Sequence, residues 1–199
     1  MTSRIKQFVV ITCLVLLIGC AGNKPAPESH IYLLRADNQL PDGVQTAPVD
    51  VGIGRVVLAN YLGQSGIVLQ TGPDEIRAAR QHLWAEPLEA SLRLYMRDAV
   101  SVELGYPVSG DSARRTNWDY RIDMVFDQLH GSLEGQVVID ASWVVLDGSS
   151  GKQLLQQRFR RSVKQSTDGY DALVTAQKDL LNDLAAAVAT SFSNIDSSQ

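Results

Sequence analysis

The residues whose types and spacing define a chemistry most sharply are Leu17-Ile18-Gly19-Cys20, which close an apolar run that begins at Phe8. They read as a lipoprotein processing site: a leader cleaved between Gly19 and Cys20, the Cys20 thiol acylated with chains of the palmitate type, and a mature protein held to a membrane by its first residue. Arg4 and Lys6 supply the positive n-region, and Phe8 to Leu17 the h-region. That run is too short to cross a bilayer, which takes about 20 residues.

Other chemistry-bearing patterns are weak. Gly148-Ser-Ser-Gly-Lys152 lacks both the spacing and the hydroxyl after lysine that a phosphate loop needs, and reads as a hairpin turn. Gly52-Ile-Gly54 has Val57 where a dinucleotide fingerprint needs its third glycine. The histidines at 30, 82 and 130 fall in no His-x-x-x-His or cysteine cluster, so no transition-metal site is expected. There is no Gly-x-Ser-x-Gly elbow. The carboxylates Asp119, Asp123 and Asp127 share one strand face and read as a solvated row. Arg158 and Arg160, on one face of a later strand, are placed to meet that row across the sheet, although a solvated edge is the plainer reading. No cofactor is expected beyond the covalent lipid on Cys20.

Loss of residues 1–19 removes Arg4 and Lys6 from the 18 basic residues, leaving 16 against 22 acidic ones and a net charge of −6. On average that field repels nucleic acid and anionic lipid surfaces, so neither is indicated as a partner and no nucleic acid is expected, local basic spots aside. Cys13 leaves with the leader and Cys20 is acylated, so the two cysteines leave no thiol for a disulfide and the fold must rest on its apolar core. Residues 20–30, small, polar and proline-containing, read as a lipidated tether reaching roughly 30 Å at most. Ala21 is not the aspartate that retains enteric-type lipoproteins in the inner membrane, so the expected site is the periplasmic face of the outer membrane.

The elements that must carry any site follow from periodicity. Ile31-Tyr-Leu-Leu34 is a short apolar run; Val49 to Leu58 reads as an irregular strand; Gly66 to Gln70 turns at Gly72-Pro73-Asp74 into a partner over about Glu75 to Ala79. Leu88, Leu92, Tyr95, Ala99 and Val102 mark one face of a helix between Glu86 and Leu104, with Pro87 in its first turn and Gly105 as its stop. Three strands follow. Tyr120, Ile122, Met124 and Phe126 form the core face of the first. Gln136 to Leu146, apolar on both faces, reads as central. Gln153 to Val163 directs Leu155, Phe159 and Val163 inward. A last helix opens near Asp168, with Leu173, Leu180, Leu184 and Val188 as its buried stripe. The expected fold is α+β: one domain over residues 31–193 with a polar tail at 194–199, built on a single mixed sheet of about five to six strands with two main helices packed on one face.

Asn60-Tyr61-Leu62, Ser65-Gly-Ile-Val-Leu-Gln-Thr71 and Leu83-Trp84-Ala85-Glu86-Pro87-Leu88, with Gly131, Gly135-Gln-Val-Val-Ile139, Trp143 and Asp168-Gly-Tyr-Asp171, resemble the ABC-type transport auxiliary lipoproteins. The likeness runs from about Tyr32 into the last helix; residues 36–48 and 108–116 match poorly. It implies a non-enzymatic partner of an MCE-domain protein that is anchored in the inner membrane and forms a tube for hydrophobic molecules. Tyr61, Leu62, Trp84, Glu86, Pro87 and Leu88 are the candidate partner or subunit surface, aromatic anchors being strong in such contacts; the competing reading packs Tyr61 and Trp84 between hairpin and helix. A homo-oligomeric ring would match a tubular partner. A lipid-binding carrier with an apolar pocket between sheet and helices, and an envelope hydrolase whose site is assembled only in the fold, are the alternatives.

Overall fold

Alternation and helical periodicity produce, in the computed structural model, one mixed sheet with both long helices on the same face. The structure describes residues 27–37, 40, 46–110 and 118–196, so Gly19, Cys20 and most of the tether lie outside the described residues. The elements are β1 (His30–Tyr32), β2 (Val51–Leu58), a 3-10 turn at Asn60–Gly63, β3 (Gly66–Gly72), β4 (Glu75–Trp84), α1 (Leu88–Leu104), β5 (Ser109–Gly110), β6 (Tyr120–Ser132), β7 (Gln136–Asp147), β8 (Gln153–Lys164) and α2 (Tyr170–Asp196).

Among the described residues the sheet has eight strands, more than the five to six expected. β1 and β5 account for the excess: they are too short for an alternation to register, and each is a strand only because a longer neighbour pairs with it in parallel. β1 begins at His30, inside the segment read as tether, and α2 continues to Asp196, inside the segment read as tail.

β6 organises the sheet. β7 runs antiparallel along one edge of it from Tyr120 to Gly131, while β2 and then β3 share the other edge in parallel. The parallel pairing of β2 with β6 requires a crossover, and α1 provides it. β6, β7 and β8 form the expected meander. A bulge between Phe126 and Gln128 changes the parity of β6, so Leu129 and Gly131 take over the inward positions held earlier by Tyr120, Ile122, Met124 and Phe126.

The inward face of β7, carrying Val137, Ile139, Ala141, Trp143 and Val145, meets α2 through Leu173, Leu180, Leu184 and Val188, all within one core. α1 adds Leu88, Leu92, Tyr95, Met96, Ala99 and Val100. The helices are tied where they meet: the Tyr95 hydroxyl lies 3.1 Å from the Lys178 carbonyl and 2.9 Å from Asn182 Oδ1. Trp143 Nε1 donates to Ser191 Oγ at 3.1 Å, so a polar atom deep in the interlayer is satisfied. Pro87 sits at the N-cap, one place before the turn expected of it, and Gly105 ends α1 in the left-handed region at φ 77°. No described helix is long and apolar enough to cross a membrane.

Candidate interaction surface

With the helices covering one face, the opposite face of the sheet is left open, and the sequence gives it a charged centre. Asp140, at an outward position of β7, is 2% exposed. Arg158 on β8 holds it through Nε and Nη2, and Arg160 adds a further bond from Nε at 2.8 Å. Arg158 also reaches Asp127 on β6 at 3.3 Å. The Arg158 hydrogen bond, followed by that of Arg160, holds the Asp140 carboxyl below its ordinary value against the opposing effect of burial. Arg158 thus meets one member of the acidic row, Asp127, across the sheet, while Arg160 is held by Asp140 of the intervening strand and does not reach that row. Asp140 is the residue the sequence reading passed over. Its signal was a carboxylate in the middle of a mostly apolar strand whose neighbour carries arginines two residues apart.

The six candidate surface residues separate into two groups. Leu62, Trp84 and Leu88 are 1, 8 and 5% exposed and belong to the core, where Trp84 ends β4 opposite Tyr32. Tyr61, Glu86 and Pro87 reach the surface. The Tyr61 hydroxyl donates to the Asp127 carbonyl at 2.9 Å, and its ring sits edge-on to His130 at 6.0 Å. Glu86 pairs with Arg35 at 2.6 Å. The burial of Trp84 is the hairpin-on-helix packing weighed above, so the surface at this site consists of the Tyr61 turn and the Glu86-Pro87 step into α1.

Beside that step lies β1, where the tether enters the fold. Its pairing with β4 brings together histidines far apart in sequence: the His30 and His82 rings stack at 4.9 Å, and Tyr170 stacks on the other side of His82 at 3.8 Å. The Tyr32 hydroxyl contacts His82 Nδ1 at 2.9 Å. Ile31 and Leu33, next to these residues, are 69 and 56% exposed. Among the described residues no group of three or more His, Cys, Asp and Glu side chains is arranged to hold a metal ion.

The family model for the ABC-type transport auxiliary lipoprotein component matches residues 32–189. The chain belongs to this family. The resemblance read from the Tyr61, Trp84 and Gly135 segments is therefore correct at family level. Relatives include the intermembrane transport lipoprotein PqiC of Escherichia coli (strain K12), 26% identical over 192 residues that cover 92% of this chain and 96% of the relative; the Shigella flexneri protein of the same name gives the same figures. A crystal structure of an uncharacterised protein matches with a TM-score of 0.69 at 25% identity, covering 83% of this chain and 99% of that one. Protein XCC0632 from Xanthomonas campestris matches with a TM-score of 0.69 at 14% identity, over 86% of this chain and 100% of its own, which shows a shared fold.

Proposed function

We propose that this family member is a non-enzymatic lipoprotein, anchored at the periplasmic face of the outer membrane through Cys20, that docks an MCE-domain protein of the Pqi type and so closes the outer end of an intermembrane transport path. The observation that carries this reading is the end-to-end similarity to PqiC, a protein named for intermembrane transport. A chain tethered by about ten residues to one membrane cannot bridge the periplasm, so it must receive a partner long enough to reach it. The exposed Tyr61 turn and the Glu86-Pro87 step are the surfaces offered for that contact, and a ring of copies would match a tube of cyclic symmetry.

A carrier that stores lipid between sheet and helices fits less well, because Tyr95, Met96, Phe126 and Leu180 already occupy that layer with no exposed surface. The test is purification of the lipoprotein from its own membranes with mild detergent. Recovery of the MCE-domain protein with it, and its loss when surface residues around Tyr61 are changed, is the expected result. A folded, outer-membrane lipoprotein that never brings an MCE-domain protein with it would remove the docking role.

A further inference from the structure

The Gly52-Ile-Gly54 pair, which fits no dinucleotide fingerprint, has another use. A Cβ on Gly52 would fall 2.2 Å from the indole ring of Trp118, and one on Gly54 would fall 2.4 Å from Asp123 Oδ1 and 2.8 Å from the Arg121 side chain. Two missing side chains therefore let an indole and an arginine lie directly on the open face of β2. A hollow of about 420 Å³ results, lined by Arg55, Arg93, Trp118, Arg121, Asp123 and Asp147 together with the glycines of the β7–β8 turn, within the roughly 300–1,000 Å³ typical of small-molecule sites.

Three arginines line this hollow against two aspartates. Trp118 is 9% exposed, and its Nε1–H finds no acceptor among the described residues. Buried donors are nearly always paired, so one left over calls for an acceptor from outside. The two carboxylates nearby are already engaged. Asp123 accepts from the Arg55 backbone N–H at 2.9 Å and from Arg121 Nη2 at 3.0 Å. Asp147 accepts from the hydroxyls of Ser149 and Ser150 and from the Ser150 backbone N–H, each at 2.7 Å. The donors not engaged with these carboxylates are the indole N–H, the Arg55 guanidinium and the remaining nitrogens of Arg121, two of the three groups being cationic, in a chain whose net charge is negative. Planar guanidinium groups suit a tetrahedral oxyanion with several acceptor oxygens.

We propose that this hollow is an anion site that takes a phosphate ester, with Trp118 Nε1–H, Arg55 and Arg121 as its donors and the indole face as an apolar wall. The proposal stands apart from the docking role, whose surfaces lie at the Tyr61 turn and the Glu86-Pro87 step. Phosphate chemistry reaches the site from a phospholipid headgroup or from a free phosphate.

The test uses the full lipoprotein in a maltoside detergent with its three tryptophans ¹⁵N-labelled at the indole. The Trp143 N–H, committed to Ser191, is an internal control. Inorganic phosphate and dihexanoyl phosphatidylglycerol are titrated separately, against sodium chloride of equal ionic strength. The expected result is a saturable shift of the Trp118 resonance with a still Trp143 resonance, and apparent affinity lowered at least five-fold in both Arg55→Gln and Arg121→Gln. Saturation by the lipid at lower concentration assigns the headgroup as the source; saturation by phosphate alone assigns a free phosphate. A shift reproduced by chloride, no shift in either titration, or undiminished affinity in both arginine variants would overturn the site. Arg55→Gln keeps the backbone N–H that Asp123 uses, so that variant reads the guanidinium separately from the fold.

Discussion

Arg158 grips Asp140 from the neighbouring strand with two nitrogens, Nε to Oδ1 at 2.7 Å and Nη2 to Oδ2 at 2.8 Å. The carboxylate is buried and the guanidinium half exposed, so the pair is asymmetric: the arginine has water available if it is abandoned, and the aspartate does not. Arg158→Ala is therefore expected to destabilise the fold by leaving the buried Asp140 carboxylate to Arg160 alone. Asp140→Asn should cost less, because two exposed arginines can turn to solvent. Urea unfolding of the two variants at neutral pH checks the order.

The same pair sets an acid dependence. Asp140 has a folded pKa below its ordinary 3.8, owing first to the Arg158 hydrogen bond. A group depressed in this way contributes stability above its ordinary value and loses it as pH falls through the folded value. Wild-type stability should decline below pH 4 more steeply than that of Asp140→Asn. Parallel acid titrations of the unfolding midpoint would show it.

His82 gives a dependence of opposite origin nearer neutrality. Burial, and then the charge of His30 stacked on it, lower its pKa from 6.5, while Asp171 opposes them; Tyr32 and Tyr170 complete its surroundings. Protonation is thus favoured when β1 leaves β4, so docking of β1 is fully supported above pH 6.5 and weakens as pH falls through the lowered folded value. Amide exchange of Ile31 and Tyr32 should accelerate on acidification in the wild type and respond much less in His82→Gln.

Gly52→Val tests the close approach of Trp118. A side chain at 52 would meet ring atoms within 2.2 Å, and overpacking of this kind costs about 1–3 kcal/mol. A lower melting temperature and a red-shifted tryptophan emission are expected. An unchanged spectrum would show that the indole does not lie over Gly52.

Much of the fold was legible because its long elements repeat a period. Leu88, Leu92, Tyr95 and Ala99 of the first stripe and Leu173, Leu180, Leu184 and Val188 of the second are buried as expected, whereas Val102, at the end of α1, is only half-buried; β6 alternates as read up to Phe126. The fragments β1 and β5 were not legible, because three and two residues carry no period and their pairing is a tertiary fact. The surface was harder. Trp84 lies in a segment on which the family resemblance was read, yet it is buried in the core, since a large aromatic at a strand end serves packing and recognition equally well in sequence. The pairings of Asp140 and Trp118 were not legible for a related reason: the first meets Arg158 across the sheet and the second lies on Gly52, and neither contact is local.

The docking role is tested most directly by placing a photo-crosslinking aromatic amino acid at Tyr61 and, separately, at Glu86 in the lipidated protein in living cells, since Glu86 is exposed and Tyr61, half-buried, reaches the surface. Covalent capture of an MCE-domain protein from at least one position, lost when Cys20→Ala releases the protein from the membrane, is the expected result. A folded, membrane-held lipoprotein that captures no MCE-domain protein from either position would contradict it.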